Sequence, residues 1–523
     1  MPPNPNSLIG DLKSLPQIIG GSGQSDRHIV LVRRNHPLTR ERSDRKLIFY
    51  HKVSRCRLEV KQPRSQIIRG STHIKVRTML RHAIQVPKMT SILDEIRREF
   101  PYAERDASGR RRIFFENAAG SLVLRRSAEA ESKARLECSA NVGGPFWESK
   151  MSEEVILEGR KSVRDLLNAP SEKCIVSGES ATSLLFQLSY ALSKEMTGIE
   201  NIVLTEYEHF ANISPWLELQ RRGVIKEVRF VKFNPEDGLL DLAHLASLID
   251  KKTRVVSVTG VANTLGSKTP LTEVFKLVKE AGAYGVLDAV HTIGHVPLDV
   301  EKIDCDFAVF SAYKLFSRRG SFMYGRQDLL DKLDPYKVEP APEEPPEKWE
   351  MGTRDQALFA SLSAVTDYLC WLGGKVESEV RDNITNYSGR QRLLKAAMFW
   401  IERYEQTLSR VMLNGTSKVQ GMNSMKGLEL YGMSDSSKTH MRVPTFTFNI
   451  TDADARMVAE YLWEKHAIAV LAENNGGFYS RTLRTYGKTI AVRASPIHLN
   501  TVAEVEIFLA ALHDSLKKFK QSA

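Results

Sequence analysis

Cysteine is scarce in this chain of 523 residues: Cys56, Cys138, Cys174, Cys305 and Cys370 are scattered, odd in number, and form no C-x-x-C pair. Such a set builds neither a disulfide framework nor a zinc site, and it fits a reducing, cytoplasmic setting where thiols act as small buried hydrophobes. Long hydrophobic runs are also missing. The longest, such as "TSLLFQLSYAL" (182–192), have the length of core helices, which argues against a membrane span. No H-E-x-x-H, Walker A or Rossmann glycine fingerprint occurs, so no metal or nucleotide motif organises the chain.

Acidic residues are short at one end only. Residues 1–88 hold 18 Lys plus Arg against 5 Asp plus Glu, a balance of +13, and the net charge is +11, so residues 89–523 carry 11 − 13 = −2. The basic stretch "VRRNHPLTRERSDRKLIFYHKVSRCR" (32–57) has no recognisable nucleic-acid module, and the rest of the chain lacks the electrostatic footprint of a nucleic-acid binder. An organellar targeting peptide is arginine-rich and amphipathic near its start, whereas "MPPNPNSLIGDLKSLPQIIGG" has no arginine. The segment 1–88 therefore reads as a dispensable extension. Organellar targeting, or a basic tail for an acidic partner, are the alternatives.

What is present describes a globular protein. Hydrophobic residues make up 42% and charged residues 26%, and the length suggests two or more domains. The folded body is expected to begin at Met89, where Ser91 and Asp94 form a capping-box pattern and Ile92, Ile96 and Phe100 share a helical stripe. From about residue 170, strand-like runs ("KCIVSG", "NIVLTE", "VIKEVRFVKF", "TRVVSVTG", "GVLDAV", "DFAVFSA") alternate with helical patterns. That interval predicts an α/β domain with a largely parallel sheet, and in such sheets ligands sit beyond the carboxyl ends of the strands.

The strand ends carry the chemistry. "SGESAT" (177–182) puts small hydroxyls and glycine before a long helix, a geometry that presents N–H groups to a phosphate but equally serves ordinary capping. "TEYEHF" places His209 after a strand, and "VANTLGS" places Asn263 in a turn. "VLDAVH" puts Asp288 inside an apolar strand, where a carboxylate is costly unless a cation or hydrogen-bond donor meets it. "CDFAVFSAYKLFSRRG" puts Lys314 directly after another such strand. Alone, that lysine marks a strand's exit to solvent. Together these residues describe a pyridoxal-phosphate site: an amine for the aldehyde, a carboxylate for the pyridine nitrogen, a helix start for the phosphate and a flat ring to stack.

The stretch "GVLDAVHTIGHVPLDVEKIDCDFAVFSAYKLF", with "FFENAAGS", "EHFANISPW", "WEMGTRDQ" and "VRASPIHLNTVAEV", resembles the class-V aminotransferase family of fold-type-I pyridoxal-phosphate enzymes. "GESATS", "SAYKLF" and "GGFYSRTL" point to its cysteine-desulfurase-like members. The resemblance implies an α/β fold: a large domain (170–375) with a mainly parallel seven-stranded sheet, and a smaller α+β C-terminal domain (376–523) to which residues 89–169 contribute. It implies a homodimer with shared active sites, a small amino-acid substrate, no nucleic acid and no membrane. By the same resemblance Lys314 is the catalytic Schiff-base lysine, Asp288 partners the ring nitrogen, and His209 stacks on the ring. Asn263 and His291 lie near the phenolic oxygen, and Ala181, Thr182, Ser311 and Tyr313 surround the phosphate. Thr353 reaches the neighbouring subunit's phosphate, Arg493 binds the substrate α-carboxylate, and Asn117 lines the substrate entrance.

Two departures matter. His291 stands where true desulfurases usually have Gln, and the stretch "LAENNGGFYSRTLRTYG" (471–487) lacks the loop cysteine that carries a persulfide. The expected reaction is therefore Cα chemistry on an amino acid: transamination, elimination, epimerisation or decarboxylation. A true cysteine desulfurase is the alternative. A catalytically idle interaction protein is a further one, against which the intact Lys314 and Asp288 count.

Overall fold

Apolar residues in the central strands face both ways, so a sheet built from them must be covered on both sides. The computed structural model, which describes residues 85–474 and 480–520 with side chains for 92–472 and 481–520, shows how. Strand β1 (Ile113–Phe114) is followed by β2 (Ile175–Gly178), β3 (Asn201–Thr205), β4 (Glu227–Val231), β5 (Thr253–Thr259), β6 (Tyr284–Asp288), β7 (Phe307–Ser311) and β8 (Ser321–Gly325). The last seven form one sheet in the order β2-β8-β7-β6-β5-β3-β4. Pairings from β7 to β4 are parallel, and β8 runs antiparallel between β2 and β7.

Alternation decides which side each residue joins. Ile202, Leu204, Val255, Val286, Phe307 and Val309 pack in one cluster, under the helices Ala181–Ser193 and Ser214–Arg221. Val203, Val256, Leu287, Ala308 and Phe310 pack in the other, with Val274 and Phe275 of the helix Leu271–Glu280 and with the long helices Trp147–Leu167 and Gln356–Val376. The chain leaves β3 for β4 on one side and returns as β5 on the other. The strand order therefore reverses at β3, and crevices beyond the strand ends form at such reversals.

A second sheet follows the helix Gly389–Asn414. It contains β9 (Leu428–Tyr431), β10 (Phe446–Ile450), β12 (Leu471–Asn474) and β13 (Ile490–Ala494), antiparallel in the order β12-β13-β10-β9. Strand β11 (Ile468–Ala469) pairs in parallel with β1, and Glu116 bridges to Ser495, which seats the segment around 113–117 on the C-terminal part. The turn 262–267 at the end of β5 reaches the same part. Gly266 lies at φ +76°, and a Cβ there would meet the carbonyls of Val443 and Thr445 at 2.7 Å, so only glycine fits.

Two expectations change. The first described helix is Gln85–Glu99, so Ser91 lies within it rather than at its start, and the capping-box reading of Ser91 and Asp94 fails. The stripe itself holds, since Ile92, Ile96 and Phe100 are buried. Strand β8, "SFMYG", is not among the expected strand runs. The extension up to residue 84 lies outside the described residues, as do 475–479 of the stretch 471–487. Among the described residues no helix is long and apolar enough to cross a membrane.

Candidate active site

The carboxyl ends of β2, β3, β5, β6 and β7 converge on a cavity of about 260 Å³. Ser180, Ala181, Thr182, His209, Ala211, Thr259, Asn263, Asp288, Val290, His291, Ser311, Tyr313, Lys314 and Arg319 line it. Nine residues expected at the cofactor site are thus brought together from five strand ends.

One end of the cavity is a helix start. Ser180 caps the helix Ala181–Ser193 in a reciprocal capping box with Ser183, each backbone N–H meeting the other's hydroxyl at 3.1 Å. The cap satisfies Ser183 and leaves the N–H groups of Ala181 and Thr182 without an intrahelical carbonyl, in the position that suits a phosphate. Ser311 contacts Ser321 through its hydroxyl at 3.0 Å, and Tyr313 lies beside it on the following turn.

The same cavity holds the titrating groups. Asp288 ends β6, 2% exposed, and its Oδ1 accepts from Val290 N–H at 2.9 Å. Burial pushes its pKa up to about 6, against the pull of that hydrogen bond and of the Lys314 charge. Lys314 donates to the carbonyl of Ala118. Burial, reinforced by the positive charge of Arg493, lowers its pKa to about 7, with Glu116 and Asp288 opposing. His209 accepts from Ala211 N–H at Nδ1, 3.0 Å, which fixes its ring, and burial with the charges of Lys314 and Arg493 lowers its pKa to about 4. It is neutral at physiological pH. His291 is held well below the usual histidine range by burial and contacts Thr445 Oγ1 at 3.1 Å through Nε2.

A lysine near 7 makes a kinetic prediction. Only the neutral amine attacks an aldehyde, so capture of added pyridoxal phosphate by cofactor-free protein should accelerate about tenfold per pH unit below 7 and level off above it. Stopped-flow absorbance against pH checks this, and a rate that keeps climbing to pH 9 or beyond would mean an ordinary lysine.

Three expected residues are not among those lining this cavity. Asn117 is buried, and its Nδ2 donates to Ser495 O at 2.9 Å and Phe114 O at 3.2 Å, so it ties β1 to the end of β13. Arg493, in β13, is 2% exposed and donates to Asn263 O and to Glu116 Oε1, both at 3.0 Å. Thr353 is exposed and lines a separate cleft with Asn141, Val142, Ile156, Arg354 and Gln356.

Other residues escaped the sequence reading. Arg319 reaches the cavity wall, its guanidinium 5.4 Å from the Tyr313 ring. Glu208, one residue before His209, is buried and accepts from Thr205 Oγ1 (2.6 Å), Asn212 Nδ2 (2.8 Å) and Thr259 N–H (2.8 Å). Burial pushes its pKa up to about 8 despite these bonds. It clamps the His209 turn onto the ends of β3 and β5. Glu208→Ala should leave the Thr259 and Asn212 donors buried and unmet and cost roughly 3 kcal/mol, read as a lower midpoint in urea unfolding. The adjacency to a histidine was the only signal in the sequence.

Comparison with known proteins agrees with the geometry. The family model for aminotransferase class V matches residues 113–397, more than half of the chain. The chain belongs to the class-V aminotransferase family. A probable cysteine desulfurase from Synechocystis sp. is 28% identical over 453 residues, covering 84% of this chain and 98% of that protein. A cysteine desulfurase from Shigella flexneri is 28% identical over 441 residues, covering 81% and 98%. Among solved structures, a cysteine desulfurase from Thermococcus onnurineus superposes with a TM-score of 0.67 at 25% identity, covering 78% of this chain and 95% of that one. One from Escherichia coli gives 0.66 at 22% identity, covering 82% and 98%.

Class-V aminotransferases are pyridoxal-phosphate enzymes, and this chain is one of them. Its residues fit the cofactor. A capped helix start and hydroxyls suit a phosphate, a buried carboxylate suits a ring nitrogen, and a lysine amine stands within the same cavity. Among the described residues, no cysteine lines the cavity. Cys138, Cys174 and Cys305 are buried, Cys370 is partly buried, and desolvation pushes each thiol above its usual range.

Proposed function

We propose that the enzyme removes a group from the α-carbon of a small amino acid, with Lys314 moving the proton, in a homodimer whose subunits share their sites. The observation that carries this reading is the meeting of Lys314, Asp288 and His209 in one cavity with a phosphate-suited helix start. When bound, pyridoxal phosphate supplies an aldehyde for the amine and a ring that accepts electrons from the α-carbon.

The chain's own residues then divide the work. Asp288 presents a buried carboxylate where a protonated ring nitrogen is to be held. His209, neutral and fixed by Ala211 N–H, offers a flat face without adding charge. Lys314, near pH 7, both accepts and returns a proton at working pH. Arg493 offers a guanidinium suited to the substrate α-carboxylate. Anchoring that carboxylate favours loss of the α-proton over loss of carbon dioxide.

Thr353 stands with Val142 in its cleft, and Leu157, Phe146, Trp147 and Met351 are exposed large apolar residues of nearby sequence segments. These suit a partner subunit, to whose cofactor phosphate Thr353 would reach. Among the described residues no cysteine lines the cavity, which favours chemistry without an enzyme persulfide. The names of the relatives favour cysteine as the substrate, with sulfide released directly, as a second reading.

Incubating the holoenzyme with a panel of L-amino acids separates the readings. Keto-acid formation with conversion of the cofactor to its amine form identifies a transaminase, and sulfide from cysteine identifies a lyase. No change in any amino acid, including loss of α-deuterium to solvent, would reject both.

A further inference from the structure

The segment that supplies Asn117 also supplies a carboxylate, Glu116, that meets Arg493. Glu116 follows β1, and its backbone bridges Ser495 beside β13. Its Oε1 meets Arg493 Nη2 at 3.0 Å, with the two side chains only 16% and 3% exposed. The other arm of the guanidinium, Nη1, donates to Asn263 O at 3.0 Å. One arm of Arg493 is therefore engaged by the turn after β5, and the arm beside it carries a carboxylate belonging to the protein itself. Lys314 lies near enough to feel both charges, Arg493 lowering and Glu116 raising its affinity for a proton.

We propose that Glu116 is a positioning residue that competes with incoming carboxylates for Arg493 and so holds plain monocarboxylates out relative to zwitterionic amino acids. This rests on the reading that Arg493 receives the substrate carboxylate. Two carboxylates on one guanidinium leave a net negative charge in a poorly solvated place, so an incoming carboxylate must displace Glu116. A displaced, partly buried Glu116 needs a cation. An amino acid brings one in its ammonium group, whereas a monocarboxylate brings none. The same pair satisfies the arginine between turnovers, when a lone buried guanidinium is costly.

Propionate and the holoenzyme provide the test, with dissociation constants read by isothermal titration calorimetry. Glu116→Gln, which keeps an acceptor for Arg493 but removes the charge, should tighten propionate about tenfold and lower KM for the amino-acid substrate less. A merely structural role would loosen binding, not tighten it. Should the Gln variant fold poorly, Glu116→Asp shortens the reach and should tighten propionate about threefold. Arg493→Gln should weaken propionate, and adding Glu116→Gln to it should restore nothing. Unchanged propionate affinity in folded Glu116 variants, with weakening still seen in Arg493→Gln, would overturn the competition while leaving the carboxylate role of Arg493 intact. Unchanged affinity in Arg493→Gln would overturn both.

Discussion

Lys314→Ala is expected to lower amino-acid turnover by at least about 10³-fold while the protein still folds and still binds pyridoxal phosphate. The lysine contributes twice, as the amine that holds the cofactor covalently and as the base that moves the α-proton. Neither role has a substitute among the described groups that line the cavity: His209 is neutral with its Nδ1 already accepting from Ala211, and His291 is held well below its usual range. Loss of the ammonium also frees the Ala118 carbonyl, which is buried, so a modest fall in thermal midpoint should accompany the kinetic loss. The measurement is single-turnover kinetics with the preferred amino acid, together with a cofactor titration. Turnover within tenfold of wild type would show that another base serves.

Asp288→Asn should be the second largest effect, a fall in kcat of about 10²- to 10³-fold. The substitution keeps the shape of the side chain, and its oxygen can still accept from Val290 N–H. What disappears is the negative charge. A neutral amide cannot hold a protonated pyridine nitrogen, so the ring loses much of its power to accept electrons from the α-carbon. The pH dependence should change with it. In the wild type, burial raises Asp288 to about 6, so its protonation as pH falls through that value removes the charge and activity declines on the acid side. That acid limb should flatten in Asp288→Asn. Removing the same charge also removes one of the two influences that keep the Lys314 amine protonated, so the lysine titration should move further down from about 7.

The fold was legible because the signal was strong where it mattered. Strands β3, β5, β6 and β7 are largely apolar, buried on both faces and separated by helical segments, so periodicity finds them without knowledge of the sheet order. Strand β8 has the same composition but returns antiparallel from a loop, and nothing local distinguishes it from the end of a turn. The helix start was misplaced because Ser91 and Asp94 match a cap by composition alone. Within the site, residues that follow strand ends were found by position, since Lys314, Asp288, His209 and Asn263 each stand just after or at the end of a strand.

Residues whose roles depend on tertiary partners were not. Asn117 and Glu116 are neighbours in the chain, yet one turns inward to Ser495 and the other towards Arg493, a distinction set by the bridge to Ser495. Glu208 carries three buried hydrogen bonds that no spacing announces.

The most direct measurement is borohydride trapping of the purified protein, followed by peptide mass mapping. The account predicts a yellow protein whose visible band is bleached by borohydride, with the phosphopyridoxyl group on the peptide containing Lys314. Label on any other lysine, or a protein that stays colourless with added pyridoxal phosphate, would contradict it.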